Sequence, residues 1–295
     1  MNSNKNNNKN NNKNNNKKGA NIMKKVNKKN NSVIRKSKKQ MYLEHGIIYN
    51  NGKILTPMGW TRELLKKGNT KTGAKVYTFS LLPGTAFFKS TVNGTEYTEK
   101  GTCICDCEGC YAKTGRYVFD NVIRSMLINT HLVNNHIDFV YRALSAQIEC
   151  LNRPEIRIHA AGDFNTKNTE EYAHMWHTII NKYSVKIQDA WTYTKIKKYE
   201  DLFNTIKNAN IVKSIIPGAG VNFGKCEYII KTYRLLKSLG KSVYICMCGI
   251  DPLQHCENCS VCALYEYVLF VEHSTAYKAD KDPLYPVLCE IAKNQ

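Results

Sequence analysis

The sequence predicts an α/β fold, a partial, open β/α barrel of about six parallel strands with cysteine-rich loops, on three observations. From Glu155 onward, short β-prone runs alternate with amphipathic helical runs, the pattern of a parallel sheet with helical crossovers. Gly and Pro punctuate the ends of the β-prone runs at Pro83-Gly84, Gly162-Asp163 and Pro217-Gly218. The 295 residues are also long enough for one such domain once a tail is set aside.

That tail comes first. Residues 1–40 hold 13 Lys and Arg and no acidic residue, and residues 1–18 are almost pure Asn and Lys. Such a run has no apolar face to offset the entropy of ordering, so a disordered tail over 1–40 and a single domain over 41–295 are predicted. Without the tail the net charge falls from +19 to +6. The plainer reading of the tail is a solvated extension; the functional one is a polycation that binds nucleic acid nonspecifically by releasing phosphate counterions. The chain has no run of 18 apolar residues and no apolar signal core, which predicts no membrane partner and a cytoplasmic location. In a reducing compartment, 12 Cys read as metal ligands or buried thiols rather than as disulfides.

Residues 75–82, KVYTFSLL, alternate β-branched and aromatic side chains and stop at Pro83-Gly84, which predicts a strand and a turn. Asn93-Gly94 between β-prone runs predicts a hairpin within 85–102. Residues 116–150 repeat apolar positions at helical spacing, with Asn134-Asn135 as a break, so two helices are expected. Residues 155–160 then read as a strand, and Asn168 with Glu171 as a capping-box start to a helix. Strands follow at 187–194, 211–216, 242–246 and 265–271, and helices at 199–207, 226–239 and 284–293, with Pro286 in the first turn of the last.

Two cysteine segments carry the chemistry. In CICDCEGCYA, the thiols Cys103, Cys105, Cys107 and Cys110 converge on one small volume, and soft thiolates select zinc, copper(I) or iron–sulfur. The plainer alternative is buried hydrophobic thiols. In CMCGIDPLQHCENCSVC, the spacing Cys256-x2-Cys259-x2-Cys262 suits three ligands of a [4Fe-4S] cluster, with Cys248, or second Cys246, as the remote fourth. The rival is a closed zinc site made by Cys246, Cys248, Cys256 and Cys259. Lone Cys150, Cys226 and Cys289 read as core thiols. At a strand end, where barrel chemistry sits, RIHAAGDF places His159, Gly162 and Asp163 as cofactor-contact candidates. A turn cap and a hydrogen-bonded sheet histidine are the plainer readings of Asp163 and His159.

The subset Cys103-x3-Cys107-x2-Cys110 resembles the radical S-adenosylmethionine motif, with Gly109 where an aromatic residue is customary and Cys105 left over as an alternative ligand. That resemblance implies three thiolates on a [4Fe-4S] cluster, S-adenosylmethionine at the open iron, and a contact to its amino group from Gly162 and Asp163. Taken in order, KTGAKVYTFSLLPG, CEGCYA, IRIHAAGDF, TYTK and HCENCSVC resemble the phage gene product 88 family over residues 69–264. The family resemblance implies a phage-encoded protein in the host cytoplasm; its thiols ahead of Cys-Tyr-Ala are spaced more widely than here. Two functional readings follow: an iron–sulfur enzyme of the S-adenosylmethionine type, or a non-catalytic zinc- or iron–sulfur-stabilised module that binds nucleic acid.

Overall fold

The computed structural model describes residues 36–68, 75–106, 110–113, 115–199, 202–203, 205–206, 209–213, 223–246, 264–271 and 279–295. The Asn/Lys-rich run and Cys107, Cys248, Cys256, Cys259 and Cys262 lie outside these residues.

Helix α1 (Lys38–Glu44) begins inside the expected tail, because Tyr42 is 2% exposed and stacks on Tyr49 at 4.5 Å. Strands β1 (Tyr49–Asn50), β2 (Lys53–Leu55) and β3 (Thr61–Arg62) form an antiparallel sheet. Strands of two or three residues show no period to read in a sequence, and this sheet was not anticipated. Then come β4 (Lys66–Lys67) and β5 (Val76–Thr78). β5 is shorter than its β-prone run; beyond Thr78 the chain leaves the ladder but stays bonded, Leu81 N–H to the Ala161 carbonyl at 2.9 Å and Leu82 N–H to the helical Thr130 Oγ1 at 3.0 Å.

β6 (Phe87–Val92) and β7 (Thr95–Lys100) make the expected hairpin, with Asn93 and Gly94 at φ 49° and 81°, the left-handed pair that a tight two-residue turn demands. Helices α2 (Asp120–Asn135) and α3 (Ile137–Cys150) meet at His136, whose φ of −144° and ψ of 46° break the helix one residue past the predicted Asn pair. Strand β8 (Glu155–Arg157) leads to α4 (Thr169–Lys182) and β9 (Asp189–Thr194). The capping box at the start of α4 does not form. Asn168 has no side-chain cap bond; its amide donates to the Asn134 carbonyl at 3.3 Å instead. β10 (Ala209–Lys213), β11 (Phe223–Gly224), α5 (Cys226–Ser238), β12 (Val243–Ile245), β13 (Tyr267–Val271) and α6 (Tyr285–Lys293) complete the described elements. Pro286 sits in the first turn of α6, where its missing N–H has no intrahelical partner to lose.

The main sheet has the order β10-β9-β8-β5-β4; β5, β8, β9 and β10 run parallel and β4 is antiparallel at the edge. A second sheet, β11-β13-β12, is parallel throughout. The architecture is therefore mixed α/β with several small sheets and no closed barrel. Parallel strands were expected, and they divide into a set of four and a set of three, since no ladder joins the two sets among the described residues. Phe79, Ile156, Ile158 and Ala190 face the helices and pack with Leu132, Leu144, Tyr172 and Trp176, all at or near zero exposure. The opposite face carries Val76 and Trp191, which share a cluster with Cys246 and Val268 of the second set. α5 and α6 cover the second sheet through Ile229, Val243, Leu269 and Leu288. Gln295 fastens the terminus to it by bonds of 2.7 and 2.8 Å to the backbone of Ile245.

Candidate functional site

The carboxyl ends of β5, β8 and β9 converge on one carboxylate. After β8 the chain turns at Gly162, with φ +83°, where a Cβ would stand 2.6 Å from Thr102 Oγ1 and 2.7 Å from Leu81 Cβ. No other residue fits there without moving the loop that carries the first cysteines. Asp163 follows, 3% exposed. Its N–H donates to Thr102 Oγ1 at 2.9 Å. Its Oδ1 accepts from Phe164 N–H at 2.8 Å and Thr194 Oγ1 at 2.6 Å, and its Oδ2 from Lys195 N–H at 3.1 Å. Burial pushes the carboxyl above its usual range, and these bonds with the Lys195 charge only partly oppose that.

The cysteine loop is laid against this turn by main-chain bonds. Thr102 N–H donates to the Leu82 carbonyl at 2.9 Å, Cys103 N–H to Gly84 at 3.1 Å, and Asn165 N–H to Thr102 at 3.1 Å. The Asn165 side-chain amide reaches the Cys103 carbonyl at 3.2 Å. Gly101 lies so close to the opposite chain that a Cβ would meet the Gly84 carbonyl oxygen. Farther along, Asp106 accepts from Thr85 N–H at 3.2 Å and pairs with Lys113 and the Thr85 hydroxyl. The Lys113 and Thr85 bonds hold its carboxyl down at about 2.

Cys103, Cys105 and Cys110 are half-buried in this loop, while Ile104 and Asp106 between them point outward. The Cys103 thiol is pushed up to about 12, first by desolvation and then by the Asp163 carboxylate; Cys110 is near enough to add to the rise, and Lys195 opposes it. The loop thus brings two thiols, one carboxylate and one lysine to the sheet's carboxyl edge, the rim where parallel α/β sheets carry their chemistry. Among the described residues no three His, Cys, Asp or Glu side chains are grouped as a metal site. The third thiol of the spacing motif, Cys107, lies outside them.

The other candidates fall elsewhere. His159 is 2% exposed, with Nδ1 at 3.1 Å from Thr192 Oγ1, Nε2 at 2.9 Å from the Tyr172 hydroxyl, and its ring edge-on to Phe164. Both ring nitrogens are occupied inside the protein, so His159 ties β8 to β9 and α4 and is set back from the rim. Cys246 is buried in the apolar cluster between the two parallel sets, a core position, with its N–H bonded to Leu269. Cys226 is buried at the first position of α5, and Cys150 lies 3.9 Å from the Met41 sulfur. Thr102, Asn165 and Thr194 were not singled out in the sequence although they position the loop. Their contacts span 31 to 62 residues, and no local pattern announces them.

The family model described as Gene product 88 matches residues 63–225. The matched span is more than half of the chain; it holds the loop at 101–113, Gly162-Asp163 and Lys195, and stops short of Cys246 and the late cysteines. No curated protein and no solved structure matches the chain.

Proposed function

The chain belongs to the Gene product 88 family, and from that premise we propose a phage-encoded iron–sulfur protein in which Cys103, Cys107 and Cys110 hold a [4Fe-4S] cluster that binds S-adenosylmethionine. The observation that carries this reading is the docking of the cysteine loop on the carboxyl rim through Thr102, Gly162 and Asp163. The donor chemistry fits. Cys103 and Cys110 are soft donors held near each other, and the crowded Cys103 sulfur, which disfavours a bare thiolate, gains most from a soft cation that neutralises it. When bound, such a cluster supplies an electron to the cofactor.

The protein's own part is positional. Gly162 lets the loop approach, and Asp163 clamps it to the ends of β8 and β9. The carboxylate of Asp163 is already taken by three donors, so its work is to hold the loop, and contact with the cofactor falls to the Gly162 backbone and Lys195. The two parallel sets are read as halves of one open barrel, which the shared Val76, Trp191, Cys246 and Val268 cluster supports. The late cysteines Cys248, Cys256, Cys259 and Cys262 are assigned a second, structural metal site. A second reading, a closed zinc or iron–sulfur module that binds nucleic acid, is favoured by Cys105 in the same loop and by the basic tail.

Anaerobic purification with iron, acid-labile sulfide and zinc quantified tests the proposal. Iron and sulfide should be present, S-adenosylmethionine should change the paramagnetic resonance signal of the reduced protein, and Gly162→Ala should lower the iron bound at the early loop. Zinc without sulfide after anaerobic reconstitution would end it. A cluster indifferent to S-adenosylmethionine would leave the closed module.

A further inference from the structure

We propose that the cavity between β5 and the amino-terminal half of α2 binds a nucleoside monophosphate. The cavity measures about 310 Å3, at the small end of the roughly 300–1,000 Å3 usual for small-molecule sites, a size for one nucleotide rather than for a strand. The proposal goes beyond the metal site and does not depend on it, since no cysteine lines the cavity.

At its inner end stands Asn129, 3% exposed. Its Nδ2 donates to the Ser80 carbonyl at 2.8 Å, and its Oδ1 has no hydrogen-bond partner. Leaving a buried acceptor unmatched costs free energy, and a small shift of this cavity-lining amide would let a ligand N–H satisfy it. A nucleobase edge carries one.

At the other end the chemistry is cationic. Lys66 is exposed at the rim. Behind the wall lies Arg62, 4% exposed, whose guanidinium donates to the Ser125 carbonyl at 2.9 Å and to Ser125 Oγ at 2.8 Å; no carboxylate pairs with it among the described residues. Ser125 itself lines the cavity, and because its oxygen accepts from Arg62 its hydroxyl proton is left to donate elsewhere. None of the lining residues is acidic. Glu63, whose charge reaches Lys66, is not among them. One lining ammonium and a hydroxyl donor, backed by the Arg62 charge behind the wall and with no lining carboxylate, favour an anion.

Between the two ends, Val122 and Met126 stand one helical turn apart on α2 and give an apolar wall for a flat ring. Thr78, whose hydroxyl meets the Lys66 carbonyl, and Ser80, whose carbonyl meets Asn129, both line the cavity and join its two ends.

The test is calorimetric titration of the full chain with adenosine, guanosine, cytidine and uridine monophosphates in turn, with inorganic phosphate and the free nucleosides as controls. At least one monophosphate should bind at a single saturable site, with its nucleoside and phosphate alone each about tenfold weaker or more. Lys66→Ala, at an exposed position, should weaken the nucleotide by about tenfold and leave the nucleoside unchanged. Asn129→Ala should weaken both, and Cys103→Ala should weaken neither. Should Asn129→Ala fail to fold, Lys66→Ala still decides. No saturable binding of any monophosphate, binding unaltered by Lys66→Ala, or binding of oligonucleotides alone would overturn the proposal.

Discussion

His159 and Asp163 lie four residues apart and are both buried, and burial acts on them in opposite senses. It raises the Asp163 carboxyl and lowers the His159 imidazole to about 3, with the Arg157 charge adding to the second effect. His159 is therefore neutral in the folded protein, matched to Thr192 and Tyr172, while the unfolded chain takes a proton near pH 6.5. The folded value lies below the unfolded one, so stability is fully present above about pH 6.5 and falls as pH drops toward 3. A single such group gives a slope of about 1.4 kcal/mol per pH unit in that window. Urea midpoints at pH 7, 6 and 5 should show this loss, and His159→Gln should flatten it. His136 and His177, also lowered by burial, add to the slope in both proteins, so the difference between them isolates His159. Parallel slopes in wild type and variant would remove His159 from this role.

Among the elements, the β6–β7 hairpin is tied to α2 by one carboxylate. Glu99 Oε1 accepts from His131 Nδ1 and Oε2 from Asn134 Nδ2, each at 2.7 Å. Burial pushes this carboxyl up, and the bonds from His131 and Asn134 with the Lys167 charge more than offset it, so the net shift is downward. With the folded value depressed, the stabilisation is present above the ordinary carboxylate range, about pH 4.3, and is lost as pH falls through the folded value. Glu99→Gln should cost about 1–3 kcal/mol at pH 7 and much less at pH 3 in thermal melts; equal melting at pH 7 would refute the tie. The hairpin itself was legible because Asn93-Gly94 is a local signal, as were α2 and α3 from their period. The α4 cap was misread because Asn134, 34 residues away, takes the Asn168 amide and also accepts Lys167 N–H at 2.9 Å. The site divides in the same way. Cys103, Cys110, Gly162 and Asp163 stand out by spacing and by position at a strand end. Thr102 and Thr194, which make them one site, are ordinary residues whose role exists only after distant strands pair.

At the scale of the whole molecule, two parallel sets of strands each carry their own helical cover, and the family match takes in the first set with its cysteine loop and, of the second set, β11 alone. Among the described residues no helix is long and apolar enough to cross a membrane. Charge is distributed as unevenly as chemistry. Residues 1–37 hold 11 of the 43 basic residues and none of the 24 acidic ones, so removing them takes the net charge from +19 to +8. Ending the deletion at Ser37 spares α1, whose Tyr42 is part of the core. If the tail is a polycation for phosphate backbones, each contact releases a counterion, and the logarithm of affinity falls with the logarithm of salt by about 0.9 per phosphate neutralised on duplex DNA. The truncated protein should melt within about 2 °C of the full chain, because the deletion spares every core residue among those described. Its affinity for random duplex DNA should drop and its salt slope flatten, read by fluorescence anisotropy between 50 and 200 mM salt. An unchanged slope would place the nucleic-acid contacts within residues 38–295 and leave the tail a solvated extension.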